Sequence, residues 1–193
     1  MTTREDSLAA LLARHSVFYR PRKPFVLSSG KTSAFYFDCR RTTMLPAAMP
    51  LIGRAVFERI RGAADAVGGL TMGADPIACA VAYWSELHGS PIPAFSVRKE
   101  AKAHGMQRWV EGAVQPKARV AIVEDVVTTG ESTLKAIARC REEGFRVERV
   151  VTLVDREEGG MDRIAIEVGA GKATAVFRRS EIDAVWKRLR KSK

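Results

Sequence analysis

The stretch Val120–Thr133, VAIVEDVVTTGEST, constrains the fold of this chain more than any other. Its opening residues, Val120, Ala121, Ile122 and Val123, form a short apolar run rich in β-branched side chains. Such a run predicts a strand buried on both faces in a parallel sheet. It ends at two adjacent acids, Glu124 and Asp125; Thr128-Thr129-Gly130 then predicts a turn, and Glu131–Glu143 a helix. Each residue taken alone fits a solvated acidic connection. Strand, acid pair, hydroxyl-rich turn and helix N-terminus taken together make a phosphate site with a sugar site beside it. Turn N–H groups and the positive end of the helix dipole suit a phosphate monoester. The hydroxyls of Thr128, Thr129, Ser132 and Thr133 add donors. The carboxylates would repel that phosphate, so they suit ribose hydroxyls or the neighbourhood of a magnesium ion.

The rest of the chain bounds this reading. Its 193 residues predict one domain with a sizeable core. No apolar run reaches the length of a membrane span, and the N-terminus, MTTREDSLAALLARH, is not expected to be a signal peptide. Cys39, Cys79 and Cys140 are widely spaced and odd in number, which argues against a disulfide framework or zinc site and fits a reducing cytoplasm. A formal charge of +10 asks for an anionic partner, either nucleic acid or a small polyanionic substrate. Much of the excess sits in Arg20–Lys23, Arg98–Lys102 and the tail Lys187–Lys193.

In chain order, Thr3–His15 predicts an amphipathic helix capped by Thr3, with Leu8, Leu11 and Leu12 on one face. Val17–Tyr19, Phe25–Leu27 and Phe35–Asp38 predict short strands of a small antiparallel cap, with Ser28–Lys31 as a turn. Helices are expected over Pro46–Arg61 and from Pro76 to about Leu87; strands over Ala66–Gly69, Pro93–Val97 and Val147–Val154. Met161–Val168 suits helix or strand, Ala173–Phe177 a strand, and Ser180 the cap of a last helix. This alternation implies a doubly covered parallel sheet, with ligands outside the carboxyl ends of its strands.

The hydrophobic run, acid pair, Thr, small residue and Gly of Val120–Gly130 resemble the ribose-phosphate-binding motif of the type I phosphoribosyltransferases. The resemblance implies a central, mainly parallel sheet flanked by helices, and 5-phosphoribosyl 1-diphosphate as substrate. It gives Glu124, Asp125, Val126, Val127, Thr128, Thr129, Gly130, Glu131 and Ser132 the ribose-phosphate site. Arg98-Lys99-Glu100-Ala101-Lys102-Ala103-His104-Gly105 is similar to the catalytic loop of the orotate phosphoribosyltransferases. In that family the loop closes over the substrates and is shared across a homodimer. Arg98, Lys99, Lys102 and His104 thereby become diphosphate-binding groups, with Lys102, Glu124 and Asp125 closest to catalysis. Phe25–Asp38 looks like the family's N-terminal hood, in which an aromatic pair, here Tyr36 and Phe37, flanks the pyrimidine. Residues to about 40 and the C-terminal segment would build this hood within one domain spanning 1–193. Arg156 and Thr128 take the role of orotate-binding residues, apt because a guanidinium forks onto a carboxylate.

The chain departs from the pattern in two places. Some members carry Lys where this chain has Ser28, and Tyr-Lys where it has Met72-Gly73. The implied activity joins orotate to the sugar diphosphate to give orotidine 5'-phosphate and diphosphate, in pyrimidine (UMP) biosynthesis. Magnesium is the expected cofactor, held mainly by substrate rather than by a protein metal site. Nucleic acid and membrane are not expected partners. The competing readings are transfer to another base, and a non-catalytic nucleotide-sensing regulator that binds RNA or DNA on the same fold.

Overall fold

A computed structural model describes residues 4–26, 30, 32–100 and 109–191. The N-terminal layer holds α1 (Arg4–His15), β1 (Val17–Tyr19), β2 (Phe25–Val26), β3 (Thr32–Ser33), β4 (Phe35–Phe37) and α2 (Arg40–Thr43). Then come α3 (Met49–Ile60), β5 (Ala66–Leu70), α4 (Asp75–Leu87), β6 (Ala94–Val97), β7 (Val110–Glu111) and β8 (Arg119–Val127). The chain continues as α5 (Glu131–Glu142), β9 (Arg146–Asp155), α6 (Gly160–Val168), β10 (Ala173–Arg178) and α7 (Arg179–Lys191).

Six strands form one sheet in the order β10-β9-β8-β5-β6-β7. All neighbours are parallel except β7, which lies antiparallel on β6. The apolar run of β8 alternates across the sheet. Ala121 and Val123 join a core with Leu12, Ile52, Ile77 and Ile182, under α1, α3, α4 and α7. Val120 and Ile122 join a second core with Ile137 and Ile164, under α5 and α6. An uninterrupted apolar strand is therefore needed, because both faces are covered. Parallel pairing brings the carboxyl ends of β5, β6, β8 and β9 to one edge, where the connections carry function.

The hood consists of two antiparallel pairs, β1 with β4 and β2 with β3. The chain's last helix braces it: Trp186 of α7 meets Tyr19 and Phe35 edge-on, at ring separations of 5.7 and 5.6 Å.

Several boundaries differ from expectation. β8 does not stop at the acid pair but runs through it to Val127. The pair is buried in the sheet edge rather than solvated in a turn. The helix expected from Pro46 starts at Met49, and Pro50 occupies its first turn. α2 and β7 are too short to leave a periodic signal. Met161–Val168 is helical. Ser180 lies inside α7 instead of capping it, and its N–H and hydroxyl both donate to Glu157, at 2.9 and 3.1 Å.

Candidate functional site

At the carboxyl edge of the sheet, beneath the hood, a cleft of about 280 Å³ opens between Tyr36, Arg40, Met72, Lys99, Asp125 and Ser132. Glu124 and Asp125 lie at its base, only 6% and 8% exposed. The two carboxylates converge there, close enough for their side chains to interact. Glu124 Oε1 accepts the Asp125 N–H at 3.3 Å, and Asp125 Oδ1 accepts the Val126 N–H at 2.9 Å. Glu124 Oε2 is buried without a hydrogen-bond partner. Burial, followed by the charge of Asp125, lifts Glu124 well above the ordinary carboxylate range. Burial also raises Asp125, opposed by its hydrogen bonds with Glu124 and Val126 and by the nearby Arg40 cation. A buried, partnerless acceptor in an open cleft is a place for a ligand's donor or a cation.

The connection after β5 crosses this acid pair. A Cβ on Gly73 would lie 2.7 Å from Asp125 Oδ1 and 2.9 Å from Glu124 Oε1, so a side chain here would push the carboxylates aside. Asp75 holds the loop from behind. It accepts Thr71 Oγ1 at 2.6 Å and Ser96 Oγ at 2.7 Å, joining the loop to β6. The Thr71–Met72 peptide is cis.

On the other side of the acids, Thr128–Gly130 leads into α5. Gly130 is the N-cap, and no side chain caps this helix. The first-turn N–H groups are thus open to an anion. The turn is supported from below by the start of α6. Arg163 Nη1 donates to Thr129 O at 2.8 Å. The Gly160 backbone packs so tightly that a Cβ there would come within 2.3 Å of Thr128 O. The arrangement offers, side by side, an anion cradle, two buried carboxylates and a glycine backbone edge.

No protein-family model matches the sequence. Among solved structures, the orotate phosphoribosyltransferase of Mycobacterium tuberculosis H37Rv, in complex with Fe(III) dicitrate, superposes with a TM-score of 0.82 at 40% identity, over 93% of this chain and 99% of that one. The same protein in complex with 5-phospho-α-D-ribosyl 1-diphosphate gives 0.78 at 35% identity, over 94% and 99%. The orotate phosphoribosyltransferase of Aquifex aeolicus is 48% identical over 163 residues, 84% of this chain and 89% of the relative. The chain belongs to the orotate phosphoribosyltransferase family. Its architecture is the type I phosphoribosyltransferase fold.

Within this family frame, the structure brings Tyr36, Phe37, Lys99, Glu124, Asp125, Val126 and Ser132 to the cleft. Tyr36 stacks on Phe25 at 5.3 Å. Val127, Thr128, Thr129, Gly130 and Glu131 continue from the acids into α5. Arg98 turns instead to Glu111, with Nη1 at 3.2 Å from Oε1. Arg156 follows β9 directly, and its N–H donates to Val127 O at 2.9 Å, beside Thr128. Its guanidinium is largely buried, paired with Glu158 at 2.8 Å, while Nε is buried without a partner. Lys102 and His104 lie outside the described residues, as do Ser28 and Lys31.

Sequence reasoning missed Asp38, Cys39 and Arg40, which line the cleft just after β4. Arg40 pairs with Asp38 at 3.1 Å. Burial pushes the Cys39 thiol up, with the charges of Asp125 and Asp38 adding to the effect. The signal was present as the acid and two arginines that follow the aromatic strand. The supporting roles of Asp75, Gly160 and Arg163 left no local signal.

Proposed function

We propose that the protein transfers ribose 5-phosphate from 5-phosphoribosyl 1-diphosphate to orotate, giving orotidine 5'-phosphate and diphosphate. The observation that carries this reading is the buried acid pair set between an uncapped helix N-terminus and a glycine loop at one sheet edge. The anomeric carbon loses its bond to the diphosphate oxygen, which leaves with the bonding pair, and gains one to the orotate ring nitrogen, which gives up its proton, with inversion. Its transition state resembles the oxocarbenium ion of glycoside cleavage.

The α5 N-terminus and the Thr128–Ser132 turn bind the 5'-phosphate. Glu124 and Asp125 accept hydrogen bonds from the ribose hydroxyls and lie near the positive charge that develops on the sugar. Lys99 meets the leaving diphosphate at the cleft edge, together with Lys102, His104 and Arg98 once it is released from Glu111. Arg156 and Thr128 hold the orotate carboxylate, and Tyr36 and Phe37 flank its ring. Closure of the loop over the substrates excludes water, which would otherwise hydrolyse the sugar diphosphate.

Among the described residues, no group of three or more His, Cys, Asp or Glu side chains forms a metal site. The partnerless Glu124 Oε2 beside Asp125 fits a magnesium ion whose other ligands are substrate oxygens. When bound, that ion supplies charge neutralisation at the diphosphate.

We read the protein as a cytoplasmic homodimer. No helix among the described residues is long and apolar enough to cross a membrane, and its cysteines are free. The test is loss of orotate absorbance on mixing protein, magnesium, sugar diphosphate and orotate, with uracil, adenine and hypoxanthine as controls. Turnover with uracil or a purine but not orotate would overturn the assignment. Lys102→Ala should lower kcat by about 10²-fold or more, with an unchanged melting temperature.

A further inference from the structure

The catalytic segment leaves the sheet after β6 and returns at β7. Its two described feet, Arg98–Lys99 and Trp109, are tied together and to one helix. The Arg98 N–H donates to Trp109 O at 2.8 Å. From the last turn of α5, Arg139 reaches both feet. Nη1 donates to Arg98 O, Nη2 donates to Lys99 O at 2.6 Å, and the guanidinium sits 4.1 Å from the centroid of the Trp109 ring. One turn further along the chain, Glu143 Oε1 accepts the Trp109 N–H at 2.7 Å.

We infer that Arg139 is a positioning residue for the transfer reaction, which holds Lys99 at the cleft by gripping two successive backbone carbonyls. A planar guanidinium offers parallel donors that a lysine ammonium lacks. Fixing the Arg98 and Lys99 carbonyls sets the backbone from which the Lys99 side chain reaches the cleft edge. The cation–π contact keeps the fork flat against the returning strand. Because α5 begins at the anion cradle and Arg139 lies eight residues on, about 12 Å along the helix axis, one rigid element relates the 5'-phosphate site to the diphosphate cation.

This inference rests on the proposed transferase reading, and its test separates the two. Orotate turnover by the unaltered protein checks the parent reading alone. Given that turnover, Arg139→Ala should lower kcat/KM for the sugar diphosphate by about 30-fold, since small misplacements of a binding group are costly. Arg139→Lys, which keeps the charge but cannot grip both carbonyls, should lose nearly as much and guards against misfolding of the alanine variant. In calorimetry with magnesium, both variants should bind the sugar diphosphate more weakly, with ribose 5-phosphate affinity unchanged. Arg139→Ala combined with Lys99→Ala should lose no more than Lys99→Ala alone, because the arginine acts through that lysine. Wild-type kinetics in Arg139→Lys, an equal fall in ribose 5-phosphate affinity, or multiplicative losses in the double variant would each overturn the inference.

Discussion

Glu124 carries the clearest conflict between stability and function in this chain. Its carboxyl is buried beside a second acid with one oxygen unsatisfied, so burial favours the protonated form. The folded chain therefore keeps a proton that the unfolded chain releases near the ordinary glutamate value of about 4.3. This stability is fully present below that value and is lost as pH rises through the higher folded pKa. Glu124→Gln abolishes the titration while keeping the shape. Its melting temperature without ligand should exceed that of the wild type by a margin that grows from pH 5 to pH 8, read by calorimetry across that range. Turnover should fall by about 10²-fold, because the charge beside the developing cation is gone. A margin that stays constant with pH would mean that Glu124 is already ionised in the free protein.

At the scale of elements, the phosphate turn owes its shape to α6 as much as to its own sequence. Gly160→Ala would place a Cβ 2.3 Å from Thr128 O and 2.7 Å from Gly130 N, against backbone that cannot swing aside. The expected cost is about 1–3 kcal/mol of stability, seen in denaturant titration, with a raised KM for the sugar diphosphate and, because Thr128 also serves orotate in the proposed reaction, a raised KM for orotate. An unchanged KM would show that the turn does not need α6. This dependence also marks where the sequence stopped being informative. Strand, turn and helix at Val120–Glu143 were legible because apolar run, glycine and helix start are local signals. That β8 continues through Glu124 and Asp125 was not legible, since charged residues read as strand ends unless the covering layers are known. Lys99 and Arg98 look alike in sequence, yet one reaches the cleft and the other is taken by Glu111, a partner thirteen residues on. Gly73 reads as one more turn residue until the acids beneath it are seen.

For the whole molecule, the decisive question is whether one chain completes its own site. Glu124, Asp125 and the α5 N-terminus belong to one rigid sheet edge, whereas Lys102 belongs to the segment that family resemblance assigns to a neighbouring subunit's cleft. The two groups can be inactivated separately. Lys102→Ala and Asp125→Asn, each purified alone, should be nearly inactive. After subunit exchange of an equal mixture, random pairing makes about half the dimers hybrid. With shared loops, each hybrid holds one site bearing both lesions and one site free of either, so about a quarter of wild-type activity should return. With loops acting in their own subunits, every site in every hybrid carries one lesion and no activity returns. Differently tagged subunits that co-purify would establish that exchange took place. Activity that stays absent in such verified hybrids would then place Lys102 in the same chain as the acid pair it serves, and a monomer would suffice for the chemistry.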